Sequence, residues 1–228
     1  MGKTCTELFA GIDCTILGNA DDEVNGIAYR SDRVQPGDAF FCVVGMTTDG
    51  HSFAQDAIDR GAKVLVVERK VYLADATDVT EIVVKDTRKA MAAAAANFYD
   101  QPSKDLALVG ITGPNGKTAT TYLVEHIARV AGKRTGAIGT VGIRIGDAAE
   151  KSAHTTPESP DLQQLFARMR DARCDVVAME VSSHALDLDR TWDAAFAVTA
   201  FSNLTQDHLD YHHTFEAYFE ATPVWKLW

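Results

Sequence analysis

Leu106-Ala-Leu-Val-Gly-Ile-Thr-Gly-Pro-Asn-Gly-Lys-Thr118 is the stretch of sequence that decides the fold. It joins an apolar run, Leu106–Ile111, to a glycine-rich loop that ends in Lys-Thr. A helical pattern follows, with Leu123, Ile127 and Val130 on one face. A strand, a glycine loop and a helix in this order are the context in which a phosphate-binding loop occurs. The sequence therefore predicts a phosphate site at this loop.

Each part of the loop suits a nucleotide phosphate. Gly113 and Gly116 allow the backbone to turn its N–H groups toward an anion, and the helix N-terminus adds a favourable potential. We expect Lys117 to reach the β- and γ-phosphates and the Thr118 hydroxyl to bind Mg²⁺. The spacing departs from the strict G-x-x-x-x-G-K-[ST] pattern, because an isoleucine stands at the first-glycine position. The alternative interpretation is a glycine-rich turn with a chance lysine.

Length and composition set limits on the function. The 228 residues suffice for one large domain or two modest ones, and 46% hydrophobic with 24% charged residues is typical of a soluble globular protein. A net charge of -10 argues against a nucleic-acid partner, although a loop of N–H groups can still bind small anions. There is no apolar signal core and no membrane-spanning run. We expect a cytoplasmic protein that does not bind a membrane.

The four cysteines form no C-x-x-C pair, which favours unpaired thiols in a reducing compartment over a metal site. They are Cys5, Cys14, Cys42 and Cys174.

Strand and helix patterns alternate along the chain, which predicts the α/β class with mainly parallel sheets. The turn cluster Tyr99–Ser103 suggests a domain boundary, giving a small α/β domain over residues 1–104 and a second domain over 105–228. Predicted strands are 39–44, 63–67, 81–84, 106–111, 136–139, 175–180 and 195–200. Predicted helices are 51–60, with Phe53, Ala57 and Ile58 on its apolar face, 87–98, 117–131 and 160–172.

The loop spacing Gly-x-Thr-Gly-x-Asn-Gly-Lys-Thr resembles that of the Mur ligases and their relatives, the folylpolyglutamate synthetases. The resemblance implies ATP as the nucleotide. A proline stands where the family usually has Thr or Ser, and because proline has no N–H to donate, we expect a somewhat lower affinity. The ATP-binding residues that the resemblance implies are Gly113, Pro114, Asn115, Gly116, Lys117, Thr118 and Ala119.

Within that family the chain resembles the MurE type, which adds the third amino acid of the peptidoglycan stem peptide. The strings Arg30–Phe40 and Gly45–His51 resemble its UDP-binding region. The resemblance implies that Ser31 contacts the uridine diphosphate and that the loop Met46-Thr47-Thr48 lines its site. Without the resemblance, these strings would be a Pro-Gly turn before a strand and a polar loop before a helix.

Two further strings resemble the substrate and metal sites of the MurE type. His154-Thr-Thr-Pro157 is similar to a substrate loop, which makes Thr155 and Thr156 candidate contacts of the muramoyl peptide. Without the resemblance, this string would be only the start of a helix. In Met179–Arg190 a carboxylate follows a buried strand, where an α/β sheet places its ligands. The resemblance implies that Glu180 holds Mg²⁺ and that Ser182 and Arg190 hold the muramoyl peptide. Without the resemblance, this string would be a polar stretch that faces solvent.

The string Phe201–His212 completes the resemblance. It implies that His208 binds a second Mg²⁺, with Asn203 and Asp207 nearby in the active site; the alternative for the histidine is a capping or solvent-facing role. The catalytic residues implied are Lys117, Glu180 and His208. Thr222 stands where the family has a carbamylated lysine that supports the second metal, and the resemblance ends after Ala221. We expect a C-terminally truncated chain without the amino-acid-binding third domain.

The resemblance implies an ATP- and Mg²⁺-dependent ligase that joins a diamino acid, diaminopimelate or lysine, to UDP-N-acetylmuramoyl-L-Ala-D-Glu through an acyl phosphate. The protein is expected to be a monomer. A second interpretation is a fragment that only binds UDP-muramoyl peptide or ATP, which Thr222 favours. A third is a folylpolyglutamate synthetase relative, which the UDP-binding string argues against.

Overall fold

The computed structural model of the chain describes residues 2–71 and 78–203. These form two compact units, one extending to Asp100 and one from Gln101 onward. The division lies just before the boundary predicted from the turn cluster. The α/β class is confirmed, whereas the binding role of each unit stays a prediction.

The first unit contains β1 (Lys3–Thr4), α1 (Cys5–Leu8), β2 (Cys14–Leu17), β3 (Glu23–Val24), β4 (Ile27–Ala28), β5 (Ala39–Phe41), α2 (Ala54–Asp59), β6 (Val64–Val67), β7 (Thr80–Val84) and α3 (Thr87–Phe98). It is built on a five-stranded sheet of order β2-β7-β6-β5-β4. Strands β4 to β7 are parallel, and β2 pairs antiparallel with β7 at one edge. A separate antiparallel pair joins β1 and β3.

Both faces of this sheet are covered by clusters of buried apolar side chains. Its strands are therefore hydrophobic at nearly every position. Strand β6 is buried at every position, as expected for a parallel strand covered on both sides. The alanine run in α3 is buried except at the half-buried Ala93, and Asp86 caps this helix by accepting N–H bonds from Arg88 and Lys89.

Two predicted elements of the first unit differ from the structure. The strand at 39–44 ends at Phe41, because the chain turns into a tight loop that is closed by a bridge between Val44 and Asp49. The helix at 51–60 begins as the 3₁₀ turn Gly50–Phe53 and becomes α-helical only at Ala54. Phe53 is consequently exposed instead of lying on the apolar face.

The second unit contains β8 (Ala107–Thr112), α4 (Lys117–Val130), β9 (Thr135–Gly139), β10 (Gly142–Ile145), β11 (Ala148–Glu150), α5 (Ser159–Asp171), β12 (Val176–Glu180), α6 (Ser183–Asp187) and β13 (Phe196–Phe201). Its six-stranded sheet has the order β11-β10-β9-β12-β8-β13. The four strands β9, β12, β8 and β13 are parallel, and an antiparallel hairpin that was not predicted extends the sheet through β10 and β11.

Helix α4 faces the opposite way from what its apolar residues suggest. Leu123, Ile127 and Val130 do share a face, but that face is exposed. The buried positions are Thr121 and Glu125, because the carboxylate of Glu125 has polar partners on the sheet. An apolar stripe on a helix therefore does not mark the core side here.

All four cysteines are free thiols, as predicted. Burial raises the pKa of Cys5 to about 11 and that of Cys42 to about 12. These two thiols are therefore protonated and poorly nucleophilic at neutral pH. In the described part of the chain, no helix has the length and apolar character needed to cross a membrane.

Candidate functional site

The loop after β8 has the geometry that the sequence predicts for a phosphate-binding turn. Gly113 and Gly116 have φ values of +119° and +86°, in the region where glycine is favoured. A Cβ on Gly113 would lie 2.4 Å from Ser202 Oγ, so a larger residue at this position would also clash with Ser202. Gly116 is the N-cap of α4, which directs the helix N-terminus at the loop.

The end of β13 supports this loop from the neighbouring strand. Ser202 Oγ and Asn203 Nδ2 both donate to the Asn115 carbonyl, at 2.6 and 2.7 Å. Lys117 lies over the opposite part of the turn, where its Nζ donates to the carbonyl oxygens of Gly113 and Pro114 at 2.7 and 3.0 Å. The ammonium group thus lies beside the predicted phosphate-binding turn.

Glu180 ends strand β12 beside the loop, because β12 pairs in parallel with β8 and brings Glu180 opposite Ile111. Its side chain is 1% exposed and accepts hydrogen bonds on both oxygens. Thr118 Oγ1 donates to Oε2 at 2.9 Å, and the Thr140 N–H donates to Oε1 at 2.9 Å. The Thr140 hydroxyl adds a bond to Oε2 at 3.2 Å. These donors fix the carboxylate next to the Thr118 hydroxyl.

This pair of oxygen donors fits a magnesium ion. Mg²⁺ prefers carboxylate and hydroxyl oxygens and takes its remaining ligands from phosphates and water. Within residues 2–71 and 78–203, no group of three or more His, Cys, Asp or Glu side chains could hold a metal by itself. Thr118 and Glu180 together offer oxygen ligands that fit Mg²⁺ bound to a nucleotide.

The predicted substrate loop packs directly against the end of β12. Thr156 Oγ1 donates to the Glu180 carbonyl at 2.9 Å and accepts the Ser182 N–H at 3.1 Å. Arg190 Nη1 donates to the Thr156 carbonyl at 3.0 Å, and Arg190 also pairs with Glu158 at 2.9 Å. The Thr155 hydroxyl lies 3.1 Å from that of Thr140, which links this loop to Glu180.

A single cavity of about 420 Å³ collects most of the predicted residues of the second unit. Gly113 and Ala119 do not line it; the first is buried behind the turn and the second is exposed. Three residues without a predicted role do line it: Thr140, His154 and His184. The predicted residues in the lining are Pro114, Asn115, Gly116, Lys117, Thr118, Thr155, Thr156, Glu180, Ser182 and Arg190.

The predicted UDP contacts lie in the first unit, at the carboxyl edge of its parallel strands. Ser31 follows β4, and the loop of Met46, Thr47 and Thr48 follows β5, the neighbouring strand. The carboxyl edge is where open α/β sheets bind ligands. The Ser31 side chain, followed by that of Arg60, holds the pKa of the Asp56 carboxyl below its usual value. The predicted residues Asp207, His208 and Thr222 lie outside the described residues.

Comparison with known proteins identifies one family over both units of the chain. A family model described as "Mur ligase family, catalytic domain" matches residues 23–99, and one described as "Mur ligase middle domain" matches residues 111–223. A UDP-N-acetylmuramoyl-L-alanyl-D-glutamate--2,6-diaminopimelate ligase of Clostridium perfringens (strain 13 / Type A) is 45% identical over 215 residues, which are 94% of this chain and 44% of that protein. The Geobacillus thermodenitrificans (strain NG80-2) protein of the same name is 49% identical over 204 residues, 90% of this chain and 40% of its own length.

Solved structures agree with this result. One of a UDP-N-acetylmuramoyl-L-alanyl-D-glutamate--2,6-diaminopimelate ligase superposes with a TM-score of 0.79 and 26% identity, over 97% of this chain and 44% of that chain. MurF from Acinetobacter baumannii, at 19% identity and a TM-score of 0.68 over 100% of this chain and 46% of that chain, shares the fold. The chain thus spans less than half the length of the relatives it matches. With both units matched by models of one family, the chain belongs to the Mur ligase family.

Proposed function

We propose that this chain carries the ATP-phosphate site and the UDP-muramoyl-dipeptide site of a MurE-type ligase, which adds the third amino acid of the peptidoglycan precursor. The observation that carries this proposal is the cavity of the second unit, where Lys117, Glu180 and Arg190 meet. The similarity to diaminopimelate ligases favours diaminopimelate over lysine as the amino acid added.

The chemistry proposed is activation of a carboxylate by phosphoryl transfer. The γ-carboxylate of D-glutamate attacks the γ-phosphorus of ATP, and the bond to the β-γ bridging oxygen breaks to give an acyl phosphate and ADP. The amine of diaminopimelate then attacks the acyl carbon, loses a proton and expels phosphate, which leaves the amide. Such a reaction depends mainly on positioning and on stabilisation of negative charge.

The residues of the cavity have distinct tasks in this scheme. The Lys117 ammonium would bind the phosphate oxygens, and the backbone N–H groups of the loop would hold the rest of the triphosphate. Glu180 and Thr118 would hold Mg²⁺, which supplies positive charge to the phosphates when it is bound. Arg190, already bonded to the Thr156 carbonyl, would help to hold the anionic muramoyl peptide.

A binding-only role is the second candidate, and one observation favours it. Thr222 stands where the family resemblance expects the lysine that is carbamylated, and a threonine cannot form that carbamate. The two candidates differ in turnover while sharing the two binding sites.

An assay of ADP release separates them. The 228-residue chain is incubated with Mg-ATP, UDP-N-acetylmuramoyl-L-Ala-D-Glu and either diaminopimelate or lysine. Release of ADP that requires both the dipeptide and diaminopimelate supports the ligase. Binding of ATP and dipeptide without ADP release assigns the binding-only role, and the absence of both binding events would refute the proposal as a whole.

The Pro114→Thr variant is expected to bind ATP about threefold to tenfold more tightly than the wild type. Threonine at this position restores an N–H that can donate to a phosphate oxygen, and one such hydrogen bond contributes about 1 kcal/mol. Isothermal titration with Mg-ATP measures the change. Pro114→Ala, which restores the N–H without the hydroxyl, should show most of the gain. An unchanged affinity in both variants would mean that this position does not face the phosphates.

A further inference from the structure

The segment Met46-Thr47-Thr48 in the first unit is an exposed loop with a closed base. The Gly45 N–H donates to the Thr48 carbonyl at 2.8 Å, and Val44 pairs with Asp49 in an antiparallel bridge. All three side chains of the loop face solvent, and that of Met46 is 75% exposed. Methionine offers a polarizable apolar surface to a base, and the two hydroxyls can donate to ribose or diphosphate oxygens.

Gly50 closes the base of the loop through a close backbone contact with Val43 that only glycine permits. Its N–H donates to the Val43 carbonyl at 2.9 Å. A Cβ at this position would lie 2.6 Å from the Val43 nitrogen and 2.7 Å from the Val43 oxygen, both of which are backbone atoms. The two ends of the loop are therefore held against each other.

His51 anchors this closed loop to the neighbouring strand. The side chain is buried, and its Nε2 accepts the N–H of Glu68 at 3.0 Å, just after β6. Since a backbone N–H can only donate, Nε2 carries no proton, and the proton of the neutral ring lies on Nδ1. Nδ1 is 2.6 Å from Asp49 Oδ1, so the ring donates to that carboxylate. One imidazole thus connects β6 to the base of the loop.

Asp49 accepts several of the hydrogen bonds that hold the base of the loop. Oδ1 also accepts the His51 N–H at 3.0 Å, and Oδ2 pairs with Arg69. The bond from Arg69, together with those from the side chain and backbone of His51, holds the pKa of the Asp49 carboxyl well below its usual range. This carboxylate therefore stays charged at neutral pH and keeps all of its donors.

The hydrogen bonds continue from the end of β6 to helix α3. Glu68 Oε1 accepts the N–H and the hydroxyl of Thr87, each at 2.8 Å, at the first residue of α3. A path of hydrogen bonds therefore runs from α3 through Glu68 and His51 to Asp49. It fixes a loop at the sheet edge where ligands bind in α/β folds.

We propose that His51 and Asp49 are positioning residues, which hold the Met46–Thr48 loop in the conformation that receives the uridine diphosphate part of the substrate. The proposal rests on the proposed function, because it assigns a task to residues around the same predicted site. Neither residue needs to touch the ligand: they act by removing alternative loop conformations, so that binding no longer bears the cost of ordering the loop.

Titration of the full chain with UDP-N-acetylmuramoyl-L-Ala-D-Glu tests this inference. His51→Ala is expected to bind the ligand about tenfold more weakly than wild type, because both hydrogen bonds of the ring are lost. His51→Asn can restore the donor to Asp49, and His51→Gln can restore the acceptor for Glu68, so each should recover part of the affinity. Mg-ATP affinity, measured on the same samples, should not change. Ser52→Ala, an exposed neighbour, is the matched control.

Amide hydrogen exchange at Gly45 and Gly50 gives a readout that needs no ligand. Exchange at both amides should be about tenfold faster in His51→Ala than in Ser52→Ala, since the loop base opens more often. If the wild type binds the ligand and His51→Ala binds it equally well, the inference is wrong. If the wild type does not bind the ligand, the proposed substrate site fails instead. Unchanged amide exchange at Gly45 and Gly50 in His51→Ala would overturn the positioning role, whether or not the wild type binds the ligand.

Discussion

Replacing Lys117 with alanine is expected to weaken ATP binding by about a hundredfold. The Nζ atom lies beside the predicted phosphate-binding turn, where it donates to the carbonyls of Gly113 and Pro114. On binding, these donors would move to phosphate oxygens, and a hydrogen bond between charged groups contributes about 1.5–3 kcal/mol. Loss of about 3 kcal/mol corresponds to roughly two powers of ten in Kd.

Isothermal titration with Mg-ATP measures this effect, with the unfolding temperature recorded for each variant. Lys133→Ala removes an exposed positive charge just beyond the other end of α4 and should leave the affinity unchanged. Lys117→Arg keeps the charge but cannot place it at the same point, so an intermediate affinity is expected. Wild-type affinity in Lys117→Ala would show that the turn is only a glycine-rich connection between a strand and a helix.

The parts of the site that could be predicted from sequence are those set by local pattern and strand order. Gly113, Gly116 and Lys117 are close in sequence, and their spacing alone defines the turn. Glu180 was predictable because it ends an apolar strand, and parallel strands bring their carboxyl ends together. The contact between Thr118 and Glu180 follows from these two facts, although the residues are far apart in sequence.

Other parts depended on partners that a linear pattern does not reveal. Thr140 follows β9, but its bonds to Glu180 depend on β9 pairing with β12. Similarly, nothing near His51 in sequence indicates that its ring meets the Glu68 N–H. The hairpin of β10 and β11 did have a signal, since Gly146-Asp147 between two short runs is typical of a two-residue turn.

The orientation of α4 is where the apolar pattern was misleading, and Glu125 is the reason. This carboxylate is 1% exposed, midway along the helix. It accepts the Thr135 hydroxyl at 2.7 Å and pairs with Arg144 Nη1 at 3.4 Å, one on β9 and the other on β10. Arg129, one turn further along α4, lies 3.6 Å from the same carboxylate. These contacts turn the polar face of α4 toward the sheet and leave its apolar stripe exposed.

Glu125→Ala should therefore lower the free energy of unfolding of the second unit by about 2 kcal/mol, because the Thr135 hydroxyl loses its acceptor. Loss of the pair with Arg144 adds less than it would in a fully buried site, since the Arg144 side chain is 33% exposed. Glu125→Gln keeps the volume and an acceptor for Thr135, so a smaller loss of about 1 kcal/mol is expected. Glu150→Ala is the control, because its pair with Arg168 is solvent-exposed and such pairs contribute less than about 1 kcal/mol.

Urea unfolding followed by tryptophan fluorescence isolates the relevant unit, since all three tryptophans lie beyond residue 191. The midpoint should fall most for Glu125→Ala, less for Glu125→Gln and least for Glu150→Ala, with the slope of the transition unchanged. Because Lys117 and Thr118 begin the same helix, ATP affinity should fall together with stability in Glu125→Ala. A variant that unfolds like the wild type would contradict this account, because the orientation of α4 would then need another cause.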